Sequence, residues 1–291
     1  MRSLRIDHVA IAGSELSPIQ RGFEAAGLSV HYGGAHANGV THMAMCVCDD
    51  GSYVELIAPL VPGQRAPVWP EQIARDGGPC GWAVRTDDLA GEAARVAGLG
   101  VPVVGPHHNA RRRADGVVAE WEVASFGGGQ PGALLPFAIQ DDGAREYRVP
   151  GVSPDAAGIA ICGLLTGVSL VVLGVTDLDA AAALFRRVYD WPALDVHDDD
   201  LFGARIAQFS GTPVVLAAPR SADGWLAARN DRFGDSPCAY VLGTVDLESA
   251  SRHLSLTSPT RWLNRRVAWM DHHVLDARQK LDARLGVTVA I

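Results

Sequence analysis

The chain has 291 residues, 48% hydrophobic and 20% charged, an ordinary globular composition with enough apolar material for one or two cores. A formal net charge of −8 leaves no basic surplus, which excludes a protein that tracks nucleic-acid phosphates. Five cysteines without a CxxC pair exclude a disulfide framework and a thiolate zinc knuckle.

The first eight residues hold no apolar run of the signal-peptide kind, so a cytoplasmic location is expected. An apolar strand at Ile6–Ile11 ends in the polar turn Ser14-Glu15-Leu16, and a helix follows over Ser17–Ala26. Strands Val40–Cys48 and Ser52–Ala58 flank Asp49-Asp50-Gly51, a hairpin signal. Taking Asp50-Gly51 as a two-residue turn pairs Val47 with Val54 and Cys46 with Glu55. Strand alternation then puts Glu55, Cys46 and His42 on one face, with His8 in reach from the neighbouring strand.

Further along, Trp82 and Trp121 fall on strands, and Arg111-Arg112-Arg113, preceded by His107-His108-Asn109, reads as a basic, turn-like loop. Gly127 to Gly132 follows a strand but opens no helix, so it is a poor phosphate cradle. Gly158 to Val175 carries no charge, yet its glycines and Val171-Val172 favour a linker leading into a buried strand over a membrane span. A helix over Asp179–Tyr189 buries Ala182, Leu184, Phe185 and Val188. Asp271 caps an amphipathic helix running to Leu285, with His272 and His273 on its first turn rather than in a ligand cluster. Gly286 stops it, and a last strand spans Gly286–Ile291.

The chain repeats itself. Pro79-Cys80-Gly81-Trp82 through Thr86-Asp87-Asp88-Leu89 returns, at a constant offset of 158, as Pro237-Cys238-Ala239-Tyr240 through Thr244-Val245-Asp246-Leu247. Ile11 to Leu16 parallels Leu173 to Leu178 at an offset of 162, and Phe23 falls on Phe185. The expected fold is α+β: four βαβββ modules in two pairs, forming curled mixed sheets around a cleft. The expected domains are 1–145, carrying the cleft, and 165–291, a degenerate second pair.

Several motifs resemble the glyoxalase-like branch of the vicinal oxygen chelate superfamily. They are Ile6-Asp7-His8-Val9-Ala10-Ile11, Phe23-Glu24-Ala25-Ala26-Gly27-Leu28, Gly33-Gly34-Ala35-His36, Gly39-Val40-Thr41-His42 and Tyr53-Val54-Glu55-Leu56-Ile57-Ala58-Pro59, with Leu135-Pro136-Phe137 closing the second module. The resemblance covers about the first 140 residues and thins afterwards. It implies a divalent metal (Zn, Ni, Mn or Fe) that chelates two neighbouring substrate oxygens and stabilises an enolate or similar oxyanion. In this branch His8 and Glu55 stand in the ligand positions of the first module. The matching positions elsewhere hold Gly81, Leu170 and Ala239 for His8, and Phe137 or Ala138 and Val215 for Glu55, none of them ligands.

Two functions are therefore carried forward. In the first, the protein is a metal-dependent lyase, isomerase or dioxygenase acting on a small oxygen-rich molecule. His8 and Glu55 are ligands, His42 or His36 completes the site, Glu55 and His42 move protons, and Arg112 in the basic loop clamps the substrate. In the second, it is a metal-free binding protein of the bleomycin-resistance kind, with Tyr53, Trp82 and Trp121 as stacking walls and His8 and Glu55 as a hydrogen-bonded pair. Both expect a small-molecule partner, with a homodimer left open and neither nucleic acid nor membrane involved.

Overall fold

A computed structural model describes residues 2–113, 115–151, 161–192, 194–271 and 284–290. Among them are sixteen strands and seven helices in two eight-stranded sheets, so the α+β reading holds. The N-terminal sheet contains β1 (Ile6–Ala12), β2 (His31–His36), β3 (Thr41–Val47), β4 (Tyr53–Pro59), β5 (Gly78–Arg85), β6 (Val103–Arg112), β7 (Val118–Phe126) and β8 (Phe137–Asp141). The C-terminal sheet contains β9 (Gly167–Gly174), β10 (Leu194–Asp199), β11 (Ala204–Phe209), β12 (Val214–Pro219), β13 (Ser236–Thr244), β14 (Thr260–Trp262), β15 (Arg265–Trp269) and β16 (Arg284–Val289).

The strand orders are the same in both sheets: β2-β3-β4-β1-β5-β8-β7-β6 in the first and β10-β11-β12-β9-β13-β16-β15-β14 in the second. Only the first closes. Ala35 pairs with Arg112 and His36 with Arg111 across β2 and β6, and this short ladder makes the sheet a barrel. The equivalent edges β10 and β14 do not pair, and the C-terminal sheet stays open.

The repeat is visible in the pairing. Ile11 opposes Pro79 across β1 and β5, and Leu173 opposes Pro237 across β9 and β13. In both places the register shifts at the next residue, so Cys80 and Cys238 are the extra residues of equivalent bulges. Helices α1 (Leu16–Ala25), α2 (Pro70–Ala74), α3 (Leu89–Gly98), α4 (Arg145–Arg148), α5 (Leu178–Tyr189), α6 (Trp225–Phe233) and α7 (Leu247–His253) complete the modules. Asp88, Asp177 and Asp246 cap α3, α5 and α7 by accepting from Gly91, Ala180 and Glu248 amides. The apolar faces of α1, α3, α5 and α7 join residues of both sheets in one core.

Contacts between β5 and β13 bind the two sheets. The Tyr240 hydroxyl donates to the Gly81 carbonyl at 2.8 Å and lies 3.0 Å from the Ala10 carbonyl. Arg229 of α6 donates to the Gly77 carbonyl at 2.7 Å, to Pro237 at 2.9 Å, and to Pro79.

Two sequence expectations fare differently. The uncharged stretch ends in the strand β9, as expected, and no helix among the described residues is long and apolar enough to cross a membrane. The helix expected over 271–285 falls on 272–283, outside the described residues, while Arg284 and Leu285 already belong to β16.

Candidate active site

The barrel encloses a cavity of about 200 Å3. Alternation along each strand turns every second side chain inward: Thr41 and Met43 from β3, Tyr53, Glu55 and Ile57 from β4, Trp121 and Val123 from β7, Phe137 and Ile139 from β8. The walls are mostly apolar, and the polar groups gather around His8, His36, Glu55, Arg111 and Arg148.

Glu55 is the centre of that group. His8 Nε2 stands 3.2 Å from its Oε2 and His36 Nε2 stands 3.3 Å from its Oε1, with Glu55 itself only 5% exposed. Both imidazoles are held from behind, His8 Nδ1 by Asp7 Oδ1 at 2.8 Å and His36 Nδ1 by Thr41 Oγ1 at 2.8 Å. The Tyr53 ring stacks on His8 with centroids 4.7 Å apart. Burial pushes the Glu55 carboxyl up, but the hydrogen bonds of His36 and His8 outweigh it and hold Glu55 well below the usual carboxylate range. Burial pulls His8 down, and hydrogen bonds to Asp7 and Glu55 reverse that, raising it above an ordinary histidine.

Asp7 reaches His8 because of a bulge. Ile6 opposes Val84 and His8 opposes Ala83, so Asp7 is the extra residue on β1 and is freed from strict alternation. Completely buried, it accepts from Arg145 Nη1 at 2.7 Å and from Arg148 Nη1 and Nη2 at 2.9 and 2.8 Å. Asp141 shares the same arginines, accepting from Arg148 Nε at 2.5 Å and Arg145 Nη1 at 3.3 Å. Burial raises the Asp7 carboxyl, yet Arg148 and His8 together hold it well below the carboxylate range. Arg148 also donates to the Tyr53 hydroxyl at 3.2 Å, and burial keeps that phenol protonated.

Of the residues expected from sequence, His8, Glu55, Tyr53 and Trp121 line the cavity. His36, the alternative third partner, is the histidine that meets Glu55. His42 does not. The hairpin closes with Cys48 N bonded to Ser52 O, giving a three-residue loop with Gly51 at φ +76 instead of a two-residue turn. The register becomes Val47 with Tyr53, Cys46 with Val54 and Met45 with Glu55, which turns His42 and Cys46 to the other face. His42 instead sits against Tyr32, 3.5 Å from its hydroxyl, so it is neither ligand nor base in the cavity.

Trp82 is also displaced: it is fully buried in the core, its indole donating to the Leu134 carbonyl at 3.1 Å. Arg112 is exposed and contacts the Gly116 carbonyl at 3.4 Å. The expected basic loop is the end of β6, and its neighbour Arg111 is the arginine that enters the cavity, 3% exposed. Sequence reasoning missed Asp7, Arg145 and Arg148, and within the basic loop it chose Arg112 where Arg111 enters the cavity. For Arg111 the available signal was its position in a strand beside Arg112; for Arg148, on a four-residue helix, there was none.

Two imidazoles and a carboxylate form the donor set of open zinc sites and of non-heme iron sites. Imidazoles tied at Nδ1 with Nε2 free are the form such ligands take. The donor chemistry of His8, His36 and Glu55 fits a divalent cation. As they stand the three are joined to each other, and among the described residues no group of three His, Cys, Asp or Glu side chains is disposed to hold an ion. A cation would replace the two His–Glu contacts with bonds to itself.

Comparison with known proteins adds the relationships. A family model described as glyoxalase-like domain matches residues 6–189. A hypothetical protein from Staphylococcus aureus is similar at 12% identity over 98% of both chains, with a TM-score of 0.61. A 4-hydroxymandelate synthase variant from Streptomyces coelicolor is similar at 12% identity over 100% of this chain and 94% of that one, with a TM-score of 0.60. A fusion of a xylose isomerase-like TIM barrel with a 4-hydroxyphenylpyruvate dioxygenase aligns with all of this chain and 49% of its own, at 12% identity and a TM-score of 0.54. These likenesses describe the fold. No curated protein matches.

Proposed function

The chain belongs to the glyoxalase-like domain family of the vicinal oxygen chelate superfamily, and on that premise we propose that its barrel cavity is the active site of a metal-assisted lyase, isomerase or dioxygenase acting on a small oxygen-rich molecule. One observation carries this reading: two histidines anchored at Nδ1 present Nε2 to the two oxygens of a single buried carboxylate. His8, His36 and Glu55 would hold the cation. When bound, it supplies a Lewis acid for an enolate or similar oxyanion.

The rest of the work falls to the chain's own residues. Asp7 and Thr41 fix the two imidazole rings, so ligand geometry is set before any ion arrives. Glu55 stays ionised and serves as a negative ligand; held so far below neutrality, it is a weak proton acceptor. Tyr53 remains a phenol and can donate a hydrogen bond to a substrate oxygen. Trp69, Trp121 and Phe137 line the cavity and keep water from the reacting atoms. The cavity-bearing domain is about 1–145, and 165–291 is the degenerate second pair.

Metal analysis of the purified and reconstituted protein tests the reading. Stoichiometric Mn, Fe, Ni or Zn that disappears in His8→Ala and in His36→Ala supports it. No metal under any reconstitution removes it. In that case the alternative stands, a metal-free small-molecule binding protein.

A further inference from the structure

Charges around the cavity pair off, with one exception. Asp7 and Asp141 make direct ion pairs with Arg145 and Arg148, while Glu55 spends both oxygens on His8 and His36 and reaches Arg111 only through space. Arg111 forms no ion pair among the described residues. Its Nη1 points at the Met43 thioether at 2.8 Å, its Nη2 donates to the Arg148 carbonyl at 2.6 Å, and its Nε is buried without a partner. A guanidinium stays charged at any working pH, a thioether is a weak acceptor, and a buried charge without a counter-ion is costly. The fold places this group at the wall of a cavity, directly across the closing ladder from His36.

We propose that Arg111 is a substrate anchor and that the cavity takes a small carboxylate with an aromatic or branched apolar body. The planar fork of the guanidinium matches two carboxylate oxygens, which would supply the direct counter-ion that Arg111 lacks among the described residues. Ile57, Trp69, Trp121 and Phe137 offer the body apolar surface. A cavity of about 200 Å3 lies below the roughly 300–1,000 Å3 of drug-sized sites and suits a body of about one ring or a short branched chain. This inference rests on the cavity being the substrate site, but it does not require the metal.

Calorimetric titration with benzoate and with its neutral counterpart benzamide provides the test, run on wild-type protein, Arg111→Met and Arg111→Lys, with and without prior EDTA treatment. Benzoate should bind the wild type roughly tenfold or more tightly than benzamide, as a charge-assisted pair requires. Arg111→Met should erase that advantage while leaving benzamide unchanged, and Arg111→Lys should restore part of it. No benzoate binding to the wild type, or equal binding of the two probes, overturns the proposal. So does undiminished benzoate binding to Arg111→Met. Benzoate binding that EDTA abolishes and Arg111→Met leaves intact sinks the anchor while keeping the metal reading. Binding that Arg111→Met abolishes and EDTA leaves intact keeps the anchor alone. Thermal melting supplies the folding control: without ligand, Arg111→Met should stay folded and melt within a few degrees of the wild type, the lost bond to the Arg148 carbonyl offset by removal of a buried charge. An unfolded Arg111→Met protein would show that the guanidinium is held for structure and not for a ligand, and would also overturn the proposal.

Discussion

Asp7→Asn is the most informative single change, because one buried carboxylate serves three partners. It is fully buried and accepts one bond from Arg145, two from Arg148 and one from His8. The substitution keeps the shape and one acceptor oxygen but removes the charge, leaving Arg148, 2% exposed, with Asp141 as its one counter-ion among the described residues. Stranding a buried ion in this way costs about 3–5 kcal/mol, and the retained Asp141 contact places the expectation at the lower end. In a chain of this length that lowers the melting temperature on the order of 10 °C. Asp141→Asn should cost less, since Asp141 is 17% exposed on its side chain and solvent can replace part of what is lost.

The pH dependence follows from the same contacts. Arg148 and His8 overcome the burial of Asp7 and depress its carboxyl, so its contribution is present above the unfolded pKa of about 4 and is lost as pH falls further. The deficit of Asp7→Asn should therefore be full at neutral pH and shrink below about pH 4. Urea denaturation of both proteins at several pH values measures it. A deficit under about 1 kcal/mol at neutral pH, or one that grows on acidification, would refute the reasoning.

Two further expectations concern stability away from the cavity. Arg229→Leu takes the shared donor from the carbonyls of Gly77, Pro79 and Pro237 and should cost about 3 kcal/mol or more in urea denaturation, since each buried acceptor left bare carries its own penalty. Gly132→Ala should cost about 2–4 kcal/mol by thermal melting, because Gly132 sits at φ +69 and a Cβ there would lie 2.5 Å from Trp82 backbone nitrogen and oxygen. Gly39→Ala, at φ +66 with open space around it, should cost only the strain of the left-handed backbone, about 1 kcal/mol.

What the sequence revealed and what it hid divide along a physical line. The duplicated Pro-Cys segments are local, and the structure returns them as equivalent bulges at Cys80 and Cys238. His8, Glu55 and Tyr53 are carried by short motifs and were legible for that reason. The error at His42 came from one residue of loop length, since a single step of register sends every side chain of β3 to the opposite face. Arg111 and Arg112 could not be told apart because β6 shifts register against β7 between Val104 and His107, which breaks any count of alternation along the strand. Arg148 meets Asp7 from 141 residues away, on a helix too short to announce itself. Asp7 lay inside a recognised motif, but only the bulge gives it a role beside His8.

The ladder between β2 and β6 has a consequence for how a chamber arises in this architecture. Two residue pairs, Ala35 with Arg112 and His36 with Arg111, convert a strand order shared by both sheets into a closed wall. The same two pairs carry one histidine of the Glu55 cluster and the unpaired guanidinium. Enclosure and chemistry are thus one event: where the seam zips, an interior exists and its functional groups come into range of each other. Where it does not, as between β10 and β14, an equally ordered sheet closes no wall, and a buried apolar cluster that includes Leu170, Phe202 and Trp262 packs against it instead.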